Sequence, residues 1–224
     1  MSMTLYHGEP NGPSLTVLAA LFEKGLDAKL VHIDLAAGAR RALPCAGQTE
    51  VALSVEGEGP VLVVDGEGMT ESVFIACYLD DIGGGTALRP AAPYARWELM
   101  AWCRQLTERA APAAAFLGQA GAQSNEEVRR DCESKIGQAV DRIEAQLEGR
   151  DWLMGEFSIA DLESYAWLAG MVERVPAAFA GKPRTTAWLA RVRQRPAVAK
   201  ALALSRVADP LKWWAPGPEI NRWG

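Results

Sequence analysis

Only His7 and His32 offer imidazole in a chain of 224 residues, which leaves a histidine-based metal centre short of ligands. The four cysteines, Cys45, Cys77, Cys103 and Cys132, are widely spaced and form no C-x-x-C pair. That spacing argues against a metal ribbon or a dithiol site and points to reduced thiols. A cluster of basic residues is also missing, and the net charge is −5. An acidic chain without a basic patch is a poor partner for nucleic acid or an anionic membrane. No apolar run approaches the roughly 20 residues of a membrane span. Met1-Ser2-Met3-Thr4 leads directly into a strand pattern, without a basic and then apolar leader, so no signal peptide is expected and the setting is read as cytoplasmic. Strand patterning is absent beyond Gly83-Gly84-Gly85.

The first third carries what the rest lacks. Residues 4–8 read as a strand. Leu15, Leu18, Ala19 and Phe22 follow at helical spacing, and Gly25 stops that helix. Lys29 to Leu35 reads as a second strand. Residues 36–58 are rich in Ala, Gly and Glu and show no pattern. Strands at 61–64 and 67–70 come next, then a helix from Glu71 to about Asp81. The later sequence is helical throughout. Ile136, Val140, Ile143 and Leu147 form one stripe, Trp188 and Val192 lie on another, and Pro176, Pro183 and Pro196 punctuate the helices. Ser158-Ile159-Ala160-Asp161 fits a capping box variant, with Phe157 and Leu162 placed as a hydrophobic staple, and predicts a buried helix over 159–174. The organisation is therefore an α/β domain over 1–82, a Gly/Pro linker over 83–93 and an all-helical domain over 94–224.

Gly59-Pro60 ahead of the apolar run Val61-Leu62-Val63-Val64 reads as a tight turn, of the kind in which a proline is often cis. Glu71-Ser72 opens a helix and brings together backbone N–H groups, a hydroxyl and a carboxylate. That set suits a ligand carrying both an α-amine and an α-carboxylate, although a plain helix cap has the same residues. Ser14 and Asn11 stand at the start of the first helix, where a hydroxyl and the helix dipole favour an anion such as a thiolate. An ordinary N-cap reads the same way.

Together these features resemble the glutathione transferase superfamily. The resemblance rests on Pro60 before its strand and on Thr70-Glu71-Ser72. It rests also on Leu88-Arg89-Pro90 ahead of a helix containing Tyr, Arg and Trp, and on Trp152-Leu153 leading to Phe157-Ser158-Ile159-Ala160-Asp161. It implies a thioredoxin-like N-terminal domain of βαβββα type, an all-α C-terminal domain, a dimer (homodimer or heterodimer) and glutathione as co-substrate. It also implies roles. Ser14, with Asn11 and the Gly12 N–H as second donors, would hold the glutathione sulfur as thiolate. Gly59 and Pro60 would bond its cysteinyl backbone. Glu71 and Ser72 would take its γ-glutamyl head. One charge-assisted hydrogen bond, about 1.5–3 kcal/mol, lowers a thiol pKa by about one to two units. No cysteine stands at the first helix start, which removes a mixed-disulfide mechanism. Cys45 reads as an ordinary thiol.

A narrower resemblance is to bacterial glutathione-dependent β-etherases, which cleave lignin-derived aryl ethers. It is carried by Leu5-Tyr6, Gly12-Pro13-Ser14-Leu15, Glu23-Lys24-Gly25-Leu26, Leu88 to Tyr94, and Ser205-Arg206 to Leu211-Lys212. It implies attack of the glutathione thiolate on a carbon beside an aryl ketone, with release of aryloxide. A small aromatic substrate would lie between the domains against Met100, Cys103, Arg104, Thr107 and Trp213, residues that ordinary interhelical core would also explain. The Trp-rich tail is either a lid or plain packing.

The loop before Pro60 departs from the family's Asn-Pro-x-Gly-x-Val-Pro. It reads Ser54-Val55-Glu56-Gly57-Glu58-Gly59-Pro60, and its two glutamates would repel a dianionic tripeptide by about 1 kcal/mol each. Arg40, Arg41 and Gln48 are the candidates for the glycyl carboxylate. The alternative function is accordingly a degenerate subunit that supports an active homologue. A glutathione-dependent peroxidase or reductase is a third option with no distinctive residue here.

Overall fold

Alternation and the reach of a crossover helix set the sheet. In the computed structural model, which describes residues 1–35, 39–52, 59–118 and 125–212, β1 (Met3–His7) points Met3, Leu5 and His7 inward and leaves Thr4 and Tyr6 half-buried. Loop residues Ser54 to Glu58 and the tail from Trp213 lie outside the described residues. Helix α1 (Gly12–Glu23) returns the chain to β2 (Lys29–His32), parallel to β1, as a crossover must. β3 (Val61–Val64) and β4 (Glu67–Met69) run antiparallel, giving the order β2-β1-β3-β4. Asp65 and Gly66, with φ of 49° and 93°, form the tight hairpin between them; Asp-Gly suits the left-handed backbone that such a turn needs.

Residues 36–58 contain an element that their composition hides. Helix α2 (Gln48–Ala52) has one buried residue, Val51, which joins Leu43 and Val61 in a small cluster on the outer face of the sheet. Five residues are too few to display a helical period, so the segment reads as patternless.

Helix α3 (Ser72–Ile82) ends in a clamp on the linker. Asp80 accepts from Lys24 Nζ at 3.0 Å, from the Leu88 N–H at 2.8 Å and from Arg89 Nε at 2.9 Å, while Arg89 also pairs with Asp81. Burial alone would raise the Asp80 carboxyl. The donors from Leu88, Arg89 and Lys24 outweigh it and hold the group below its ordinary value.

The helical half comprises α4 (Pro93–Gln105), a π-helical segment (Leu106–Ala110), α5 (Ala111–Gly118), α6 (Glu126–Gln146) and α7 (Ile159–Leu168), then α8 (Met171–Arg174), α9 (Pro176–Phe179), α10 (Pro183–Arg193) and α11 (Pro196–Leu202). Ile136, Val140, Ile143 and Leu147 are buried along α6, as their spacing predicts. Pro176, Pro183 and Pro196 each open a helix, where a missing N–H costs nothing. The helix expected over 159–174 breaks after Leu168. Gly170 stands at the break, and a glycine inside a helix costs about 1 kcal/mol relative to alanine. Helix α1 packs against α3, α7 and α11, so both halves share one core. Among the described residues no helix is long and apolar enough to cross a membrane.

Candidate functional site

The start of α1 is buried from both sides. Gly12 has φ +44°, and a Cβ there would lie 3.4 Å from the Trp167 ring, so a side chain would be strained and crowded. Asn11, not Ser14, is the N-cap residue, and Ser14 is the third residue of the helix. The Ser14 hydroxyl accepts from the Gly8 N–H at 3.1 Å and is 2% exposed. Asn11 is fully buried and donates Nδ2 to the Pro210 carbonyl at 3.0 Å. Sequence reasoning expects that amide to face a sulfur; here it anchors the C-terminal segment.

A second strap holds the same junction. Glu9 accepts from the Ser205 hydroxyl at 2.9 Å and from the Arg206 N–H at 3.1 Å, and it pairs with His32 Nε2 at 3.2 Å. His7 lies edge-on to His32 with ring centroids 5.5 Å apart. Burial lowers the His7 pKa, against its contact with the Gly8 carbonyl.

The start of α3 meets α1 through a residue that the motifs do not single out. Glu163 of α7 is 1% exposed. Its Oε2 accepts from Thr16 at 2.7 Å and from Ser72 at 3.4 Å, and its Oε1 accepts from Trp167 Nε1 at 2.8 Å. Burial raises the Glu163 pKa against these donors. One carboxylate therefore joins the second turn of α1 to the start of α3. A signal was available: a lone acid inside Ile159-Ala160-Asp161-Leu162-Glu163-Ser164-Tyr165-Ala166-Trp167-Leu168, a helix expected to be buried throughout. Glu71, ahead of Ser72, has φ 66° and ψ 105°, a conformation costing a non-glycine residue about 1–3 kcal/mol and found mainly where function holds it. It leaves the first N–H groups of α3 without helical partners at the dipole's positive end.

Gly59 and Pro60 are buried where the chain enters β3. The peptide between them is trans, which corrects the expectation of a cis bond. A trans X–Pro bond is favoured by about 0.5–1 kcal/mol, and a turn by itself does not reverse that preference. Of the residues considered for a glycyl carboxylate, Arg41 is exposed and Gln48 donates its amide back to the Arg41 carbonyl at 2.6 Å. Burial raises the Cys45 thiol, in line with an unreactive cysteine.

The expected substrate pocket does not assemble as one surface. Cys103 is buried in the interhelical core, where burial and then the Glu163 charge push its thiol well up. Met100 contacts Cys77 of α3 at 4.0 Å between sulfurs. Arg104 points to solvent and pairs with Glu108 at 2.7 Å, and Thr107 donates back to the Cys103 carbonyl at 3.0 Å. A helix places residues 100, 103, 104 and 107 along one side, but that side is wide enough to split between core and solvent. Trp213 lies outside the described residues. A groove of about 210 Å³ opens instead between the π-helical segment and α6, lined by Trp102, Leu106, Arg109 and Arg142.

Comparison with known proteins gives the same picture over nearly the whole chain. Residues 1–81 match the family described as "Glutathione S-transferase, N-terminal domain", and residues 86–196 match "Glutathione S-transferase, C-terminal domain". The chain is similar to Protein LigF of Sphingobium sp. (strain NBRC 103272 / SYK-6), at 28% identity covering 95% of this chain and 97% of that one. It is similar to glutathione S-transferase 3 of Zea mays, at 29% identity covering 91% and 95%. Among solved structures, that of the β-etherase LigF from Sphingobium sp. strain SYK-6 superposes with a TM-score of 0.78 at 25% identity, covering 92% of this chain and all of that one.

Proposed function

The chain belongs to the glutathione S-transferase family, and from that membership we propose that it binds glutathione and transfers its thiol to an aromatic electrophile in a β-etherase-like reaction. The observation that carries the reading is that Ser14 stands in the first turn of α1 and Ser72 opens α3, two helices that pack against each other in a chain matched by both transferase domain models.

In this reading Ser14 keeps its lone pair on the Gly8 N–H and turns its proton to the sulfur. The dipole of α1 adds to that stabilisation of the thiolate. Glu71 faces the ammonium of the γ-glutamyl head, the first N–H groups of α3 take its carboxylate, and the Gly59 backbone bonds the cysteinyl unit. The thiolate attacks a carbon beside an aryl ketone. A C–S bond forms, the C–O bond to the aryl group breaks, and the leaving aryloxide takes a proton from water. Proximity and thiolate formation supply the catalysis. The likeness to LigF supports the choice of an aryl ether. Exposed aromatics on α3 (Phe74) and α4 (Tyr94 and Trp97) support pairing with a second chain of this fold.

A second reading has its own observation. Asn11 is tied to Pro210, Ser14 is buried, and the Ser72 hydroxyl faces Glu163, so protein groups occupy positions that a ligand would use. A non-catalytic subunit paired with an active homologue would tolerate this. Calorimetric titration with glutathione, followed by assay on a β-aryl ether ketone, separates the two. Micromolar to millimolar binding with release of the phenol supports the enzyme. Absence of binding by the purified chain overturns it.

A further inference from the structure

Glu163 has no role in the motifs that mark this fold, yet it occupies an expensive position. A carboxylate out of water is costly unless it is paired or fully hydrogen-bonded. Its bonded partners are the neutral donors Thr16, Ser72 and Trp167, and none is a cation. The titratable groups around it are few. Cys103 of α4 lies close enough to feel its charge, Asp161 is on the same helix with its own donors, and Glu71 precedes Ser72 on the α3 side. The α1 side contributes the neutral Thr16.

A serine hydroxyl has one proton to donate. While Glu163 is ionised it accepts that proton, and Ser72 presents only lone pairs to a ligand. The ligand's carboxylate then has the N–H groups at the start of α3 alone, and it stands near a second negative charge in a low-dielectric interior. Once Glu163 is protonated, it becomes a donor itself. The Ser72 proton can turn outward and the repulsion disappears. We propose that Glu163 is a positioning residue that competes with the ligand for the Ser72 proton, so that this chain captures a γ-glutamyl carboxylate more tightly as the pH falls. The inference rests on Ser72 being the γ-glutamyl anchor. The raised pKa of Glu163 brings its titration toward the pH range in which the protein can be studied. The reciprocal effect follows by linkage: binding takes up a proton.

The test uses S-methylglutathione, which has no thiol to titrate, and the full chain. Its Kd is measured by calorimetry at pH 5.5 and pH 7.5, in two buffers of different ionisation heat, for the native chain and Glu163→Gln. The native chain should bind about tenfold more tightly at pH 5.5 and take up a fraction of a proton at pH 7.5. Glu163→Gln, whose amide can donate to Ser72, should bind at both pH values as the native chain does at pH 5.5. A flat native profile without proton uptake overturns the proposal, as does a pH dependence that survives in Glu163→Gln, which would place the titration on another group. If Glu163→Gln does not fold, proton uptake by the native chain and its loss in Ser72→Ala decide the matter. Binding with a flat profile removes this inference and leaves the glutathione site standing, whereas absence of binding at either pH removes both.

Discussion

Asp161 and Glu163 sit two residues apart on α7, both buried and both carboxylic acids, and they face different parts of the molecule. Asp161 turns to its own half. It accepts from the Leu153 N–H at 3.0 Å, from the Ser158 N–H and hydroxyl at 3.0 Å, and from Trp188 Nε1 at 2.9 Å. Glu163 turns to the other half, and two of its donors come from 147 and 91 residues away. Asp161 closes a helix start, a task set by its neighbours in the chain. Glu163 joins α1 to the start of α3, two elements that only folding brings together. The same chemical group thus serves local structure at one end of a helix and the candidate ligand site two residues later.

Removing Asp161 should show the larger effect. Asp161→Ala leaves Leu153, Ser158 and Trp188 as buried donors without an acceptor, and a loss of about 3–5 kcal/mol in urea unfolding is expected. A loss under about 1 kcal/mol would mean that α7 does not depend on its cap.

The other end should answer in kinetics rather than stability. Ser14→Ala, in the first turn of α1, removes the proposed thiolate donor worth about 1.5–3 kcal/mol, so turnover should fall roughly 10- to 100-fold. The pH of half-maximal thiolate formation, read from ultraviolet absorbance with bound glutathione, should rise. Unchanged turnover would move the thiolate role away from Ser14.

The two acids also predict a pH window. Burial pushes Asp161 up to about 6, against its donors from Leu153, Trp188 and Ser158. Its unfolded value lies near 4. A carboxyl whose folded pKa is raised contributes most below its unfolded pKa and loses that contribution as the pH climbs through the folded value. Folding stability should therefore drop by about 1–2 kcal/mol between pH 5 and pH 7, and Asp161→Asn should flatten this slope. Asp80 has the opposite sign: its stability is present above pH 4 and is lost only as the pH falls through its depressed value. The smallest effect is expected at Arg104→Ala. That side chain is exposed beside Glu108, so neither the urea midpoint nor turnover should change, in keeping with its place on the solvent side of α4.

Much of this was legible because it is local. Ser158 to Asp161 announced a cap, 61–64 and 67–70 a pair of strands, Ile136 to Leu147 a stripe on one helix, and Pro176, Pro183 and Pro196 breaks between helices. Helix α2 was hidden because five residues with one buried side chain carry no period. The break after Leu168 was missed because an apolar pattern runs through it. Ser14 and Ser72 were found at their helix starts, but the direction of their hydroxyls was not readable, since it depends on Gly8 and on an acid from the other half. The proposed substrate residues shared a helical side in sequence and separated in space.

By itself the sequence determined the order of the four strands, the helical character of the second half, the family resemblance and the starts of α1 and α3, because period, caps and turns act over a few residues. Tertiary structure alone decided that Asn11 holds Pro210, that Glu9 is strapped to Ser205, and that Glu163 meets Thr16 and Ser72. Those contacts join groups far apart along the chain, and only packing of α7 against α1 and α3 excludes the water that would otherwise satisfy each group on its own.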